Sequence, residues 1–165
     1  KTTNLITVGI KDRDDKISSL GEEIAITLIE LCDFLLIEAD GSKMLPLKAP
    51  ASHEPVILKN TTMIVGIAGI DSLSKSIKDI CHRPQHVCDI LGKNQCDKIS
   101  EKDIATLLSS ENGQKKDIEK CDNAKYRAII NKVDNEELLY SAKKICKYLK
   151  EKDVQAVITS YKQNS

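Results

Sequence analysis

Two short segments carry residue types from which phosphate and base chemistry could be built. The first, Glu38-Ala39-Asp40-Gly41, closes the apolar run Phe34-Leu35-Leu36-Ile37. It has the form of a Walker B strand end, where a carboxylate holds magnesium through water or orients an attacking water. On a strand, alternation sends Glu38 and Asp40 to the same side. They are the candidate catalytic carboxylates, and Asp40 is the candidate magnesium ligand. A solvated strand terminus with a turn glycine accounts for the same residues. The second segment, Asn131-Lys132-Val133-Asp134, follows the apolar run Arg127-Ala128-Ile129-Ile130. It has the N-K-x-D pattern of base recognition, in which the aspartate accepts two hydrogen bonds from a guanine edge and the lysine stem lies along the purine face. Asn131, Lys132 and Asp134 are therefore candidate nucleotide-binding residues, although Asp134 could instead be the N-cap of a following helix.

The phosphate cradle is missing. No G-x-x-x-x-G-K-[ST] exists, and the Gly92-Lys93 pair is followed by Asn94. Lys1-Thr2-Thr3 resembles the tail of such a loop, but Leu5 begins a strand where a helix should start. The chain reads as the back portion of a nucleotide-binding domain whose first βα unit is not in this sequence, and alone it is expected not to hydrolyse nucleotides. Cys81-His82, His86, Cys88 and Cys96 form the other suspicious group. Zinc usually takes thiols in C-x₂₋₄-C pairs with a second pair further on. That spacing is absent, so no structural zinc is expected.

The elements that must position these residues alternate between strands and helices. Leu5–Gly9, Phe34–Ile37, Thr62–Ala68, Arg127–Ile130 and Val154–Ile158 read as strands, several of them apolar throughout. Leu20, Ile24, Leu28 and Leu31 recur at helical spacing. Ser100 with Asp103 makes an Asp variant of the capping box. Leu138, Ala142, Ile145 and Leu149 mark a helix over about Asn135–Lys150. The 42–55 segment is expected to be a long Pro-containing loop, and 109–123 a solvated, Lys-rich loop. Fully apolar strands alternating with helices predict a three-layer α/β domain with a mainly parallel sheet, a single domain over 1–165. Ligands of such sheets sit beyond the carboxyl ends of the strands.

Composition excludes other classes. The chain has 165 residues, with 25 basic and 25 acidic side chains, 41% hydrophobic and 3% aromatic. A balanced charge lacks the basic excess that phosphate neutralisation needs, and so few rings argue against stacking platforms for single strands. No nucleic-acid partner is expected. No run of about 18 apolar residues could span a membrane. No export signal is visible at Lys1-Thr2-Thr3-Asn4, so a cytoplasmic location with reduced thiols is expected.

The run from Leu36 to Pro55, Leu-Ile-Glu-Ala-Asp-Gly-Ser-Lys-Met-Leu-Pro-Leu-Lys-Ala-Pro-Ala-Ser-His-Glu-Pro, is long and distinctive. With Val65-Gly66, Ile70-Asp71-Ser72-Leu73, His82-Arg83-Pro84 and Asn131-Lys132-Val133-Asp134, it resembles the YqeC family, accessory proteins of selenium-dependent hydroxylases. The resemblance implies a P-loop NTPase-like (Rossmann-like) domain that acts in maturation of a selenium-dependent molybdenum hydroxylase. The family pattern opens with a Gly-rich G-K-T-T loop, from which this chain departs. By resemblance, Gly41, Lys43, Lys48, His53 and Glu54 lie in the family's most recognisable loop, where lysines could meet an anionic ligand as point charges. His82 and Arg83 could form an anion-binding corner; loop-stabilising hydrogen bonds account equally for all of them.

Three functions stay open. One is a GTP- or ATP-binding accessory protein, using magnesium in the complete protein and acting on a client hydroxylase or its cofactor. Another is a non-catalytic client-binding module or chaperone on a degenerate nucleotide fold. The third is a small-molecule kinase or nucleotidyltransferase.

Overall fold

Three apolar runs become one parallel sheet because each offers a ladder partner to the next. In the computed structural model, residues 4–11, 17–18 and 20–162 are described. They fall into two compact units, 1–38 and 39–165.

In the 1–38 unit, β1 (Ile10–Lys11) pairs antiparallel with β2 (Ile17–Ser18), and α1 spans Glu22–Ile29 after Gly21 in left-handed backbone. Leu5–Gly9 and Phe34–Ile37, both expected as strands, are irregular instead. Phe34 and Leu36 are 87% and 90% exposed. An apolar run forms a buried strand only where neighbours satisfy its backbone groups and cover its faces. The described pairing of this unit is confined to the short β1–β2 ladder.

The 39–165 unit continues with β3 (Leu47–Lys48), β4 (Met63–Gly69), α2 (Ile77–Ile80), β5 (Cys81–His82), α3 (Pro84–Leu91), α4 (Glu101–Ser109), β6 (Lys125–Asn131), α5 (Glu136–Lys150) and β7 (Gln155–Ile158). β4, β6 and β7 form a parallel sheet in that order, with β6 in the middle; β3 and β5 form a separate parallel pair. Gly69 at the end of β4 donates its amide to the Pro46 carbonyl just before β3.

One sheet face carries Gly66, Ala68, Tyr126, Ala128 and Ile130, all buried, with Leu107 and Leu108 of α4 and Ile145 and Leu149 of α5 in the same core. Tyr126 donates its hydroxyl to the Leu108 carbonyl at 2.6 Å. The opposite face shows Met63, Val65, Ile67 and Val157, 41–55% exposed. Ser100 and Asp103 close the expected capping box at the start of α4, and Asn135 caps α5 by accepting from the Leu138 amide.

Two expected loops contain more structure than their composition suggests. The 42–55 segment includes β3, with Leu47 and Ala49 buried. In the Lys-rich 109–123 segment, the Gln114 side-chain amide bonds both the amide and the carbonyl of Ile67 on the edge of β4.

Candidate functional site

Two groups of predicted residues take shape in the 39–165 unit. The first is a charged loop. Asp40 pairs with Lys48 on β3 at 2.9 Å, and Lys48 also bonds the Asp40 carbonyl. Glu54 Oε1 accepts from Arg83 Nη2 at 2.5 Å, Glu54 Oε2 accepts from the Ala51 amide, and His53 lies 3.6 Å from Glu54. Arg83 sits between β5 and α3 in left-handed backbone, φ 57°, with Pro84 opening the helix. Burial pushes the Glu54 carboxyl up, but the Ala51 amide and Arg83 outweigh it and hold the group below its ordinary value. Burial, then the positive charges of Arg83 and Lys43, hold His82 low against the opposite pull of Asp40 and Glu54.

The sequence anticipated most members of this cluster, but not their arrangement. Gly41 is not the special turn position: Lys43 and Met44 hold the left-handed backbone, with φ 51° and 62°. Glu38 is exposed in irregular chain of the other unit, so strand alternation does not pair it with Asp40. Asp40, with its side chain 6% exposed, is the ion-pair partner of Lys48 here. Among the described residues, no group of three or more His, Cys, Asp or Glu is placed to hold a metal ion. Cys81 and Cys88 are buried and Cys96 is exposed; burial pushes the Cys81 thiol up to about 12.

Lys116 is the member that sequence reasoning missed. Its ammonium donates to the carbonyls of Ala51, Ser52 and Glu54, more than sixty residues earlier. A surface lysine in a polar stretch gives no sign of such a contact. An open pocket of about 250 Å³ beside it is lined by residues that include Pro50, Ser52, His86, Asp89 and Lys116.

The second group stands beyond the carboxyl ends of β4, β6 and β7. Asn131 Oδ1 accepts from the Lys132 amide at 2.7 Å and from Thr159 Oγ1 at 3.1 Å, while its Nδ2 donates to the Tyr161 hydroxyl at 3.3 Å. Ser160 donates its hydroxyl to Asp134 Oδ1 at 2.5 Å. This bond, with the backbone amides of Lys162 and Tyr161, holds the Asp134 carboxyl below its ordinary value. Asn135, not Asp134, caps α5, so the aspartate is left for another role. The Lys132 ammonium lies 2.9 Å from Asp71, whose other carboxylate oxygen is buried without a hydrogen-bond partner. Gly92-Lys93 is also accounted for. Gly92 ends α3 in left-handed backbone, and Lys93 pairs with Asp103. Ser160 and Tyr161 were invisible in the sequence because their partners lie across the sheet edge.

Residues 1–85 match the family model described as YqeC protein. The chain belongs to the YqeC family. It is 30% identical over 128 residues to the uncharacterized protein YqeC of Escherichia coli strain K12, covering 76% of this chain and 49% of that protein. The chain thus spans about half the length of the curated YqeC relative it matches. No solved structure matches it significantly. Among the described residues, no helix is long and apolar enough to cross a membrane.

Proposed function

We propose that this YqeC chain is the base-reading and ligand-loop part of a purine-nucleotide-binding accessory protein, acting in maturation of a selenium-dependent molybdenum hydroxylase. The observation that carries the reading is the Asp134–Ser160 bond at the carboxyl edge of a parallel sheet, where ligands of such sheets gather. A carboxylate fixed there on one oxygen keeps acceptor capacity for the paired donors of a guanine edge. In this reading Asn131 ties the two strand-end loops together, and Asp134 reads the base. In the charged loop of Gly41, Lys43, Lys48 and His53, with His82, the cationic side chains and Arg83 meet anionic groups of the nucleotide or of the client's cofactor, while Glu54 positions Arg83. Magnesium, where it takes part, arrives with the phosphates, since a reluctantly dehydrating ion needs few protein ligands.

The test is calorimetric titration of the full-length protein with GTP and with ATP, with and without magnesium. Asp134→Asn is expected to weaken GTP binding about tenfold or more, as a buried-edge donor pair loses its acceptor. Uptake of neither nucleotide would overturn the reading. A second reading, a client-binding module without nucleotide, is favoured by the exposed apolar sheet face of Met63, Val65, Ile67 and Val157. It gains if nucleotides fail and the client hydroxylase binds.

A further inference from the structure

The base-recognition pattern assigns the purine face to the stem of Lys132. Here that lysine is engaged elsewhere, with its ammonium on Asp71. A base whose edge meets Asp134 still needs an apolar surface under its ring, and the chain has only five aromatic residues to supply one. Phe34 belongs to the 1–38 unit. Tyr126 is buried, with its hydroxyl on the Leu108 carbonyl. Tyr140 has the Lys144 ammonium over its ring at 4.6 Å from the centroid, and Tyr148 packs on the core.

Tyr161 differs from all of these. It follows β7 at the same edge as Asp134 and is 79% exposed. Its hydroxyl accepts from Asn131 Nδ2 at 3.3 Å, which anchors the polar end of the ring to the base-recognition segment itself. Its neighbour Ser160 holds Asp134, and its own amide also faces that carboxylate. Ring and carboxylate are therefore fixed to each other through Asn131, Ser160 and the backbone between them.

We infer that the Tyr161 ring is the surface on which the purine stacks while Asp134 reads its edge. The inference rests on the nucleotide reading above and deepens it by naming the residue that recognises the ring rather than the phosphates. Stacking is tolerant of base identity because every base has a π-face. Tyr161 therefore contributes affinity for purines in general, and Asp134 contributes the preference for guanine.

Calorimetric titration of the wild-type full-length protein and its Tyr161→Phe, Tyr161→Leu and Asp134→Asn variants decides it, with GTP, ATP and inorganic triphosphate as probes. Tyr161→Phe keeps the ring and is expected to bind GTP within about threefold of wild type. Tyr161→Leu keeps apolar bulk without the ring, and is expected to weaken GTP and ATP alike by about 5- to 100-fold. Its triphosphate binding and thermal midpoint should stay unchanged. Tyr161→Leu binding GTP as wild type does, while Asp134→Asn loses it, overturns the stacking role and leaves the nucleotide reading standing. Parallel loss of triphosphate binding in Tyr161→Leu also overturns it. Failure of wild type to take up either nucleotide removes both.

Discussion

Lys116 gives three hydrogen bonds to the loop that carries Glu54, donating to the carbonyls of Ala51 at 2.7 Å, Ser52 at 2.9 Å and Glu54 at 2.5 Å, and its ammonium also lies 4.0 Å from the Asp117 carboxylate. An ammonium has three protons and no acceptor, so this lysine has no further bond to give. It fixes the backbone of a turn whose side chain, Glu54, in turn holds Arg83. Lys116→Met keeps the stem and removes the donors, leaving three carbonyls to find water. The expected loss is about 1–3 kcal/mol, discounted for the partial exposure of the group. Urea denaturation followed by circular dichroism measures it, and an unchanged midpoint would show that the contact is incidental.

Gly66 lies where β4 passes under the Tyr126 ring. A Cβ added there would fall inside the van der Waals envelope of the Tyr126 hydroxyl and crowd Gln114. Tyr126 cannot easily step aside, because its hydroxyl is held by the Leu108 carbonyl at 2.6 Å. Gly66→Ala should therefore destabilise by about 1–3 kcal/mol, the usual cost of overpacking. Gly66→Ala combined with Tyr126→Phe should recover part of that loss, which a double-mutant cycle reads directly.

The parts of the fold legible in the sequence are those decided by neighbours close along the chain. β4, β6 and β7 follow apolar runs, and α4 is announced by Ser100 and Asp103 three residues apart. Phe34–Ile37 carries an equally apolar pattern yet is irregular, because pattern alone does not supply a ladder partner. The same limit governs the site. Asn131 and Asp134 were visible as a motif, whereas Ser160 and Lys116 act on partners 26 and 62 or more residues away. Their residue types, a serine near a strand end and a lysine among lysines, carry no local mark of those contacts. The Lys132–Asp71 pair was hidden for the same reason, since Asp71 reaches the ammonium from a different strand end.

Asp103 ties the start of α4 to Lys93 and makes acid stability measurable at one group. Burial pushes its carboxyl up, but the hydrogen bonds from Lys93 and Ser100 outweigh this and hold it below its ordinary value. A depressed folded-state value means that the unfolded chain takes up the proton first. The contribution is full above the ordinary carboxylate pKa of about 3.9 and is withdrawn as pH falls through the lower folded value. Asp103→Asn should lower stability at pH 7 and flatten the loss between neutral and acid pH. Denaturation midpoints of both proteins across pH 7 to 2.5 test this, and parallel curves would contradict it.

Asp134 and Asn135 are adjacent but do different work, and one pair of substitutions separates them. Asn135 caps α5 through the Leu138 amide, so Asn135→Ala should cost about 0.5–2 kcal/mol of stability. Asp134 is held low first by the Ser160 hydroxyl and then by the amides of Lys162 and Tyr161. Ser160→Ala removes the largest of these, and the Asp134 carboxyl should then titrate closer to the ordinary value of about 3.9. Because the group is depressed in the folded state, wild type loses this contribution only as pH falls through the lower value, and the variant has less to lose. Carbon-13 carboxyl NMR over pH 2 to 6 reads the midpoint directly. Asn135→Ala should leave that carboxyl midpoint in place while lowering the unfolding midpoint, whereas Ser160→Ala should raise the carboxyl midpoint. A midpoint that moves with Asn135 and not with Ser160 would return Asp134 to the helix cap and remove it from base recognition.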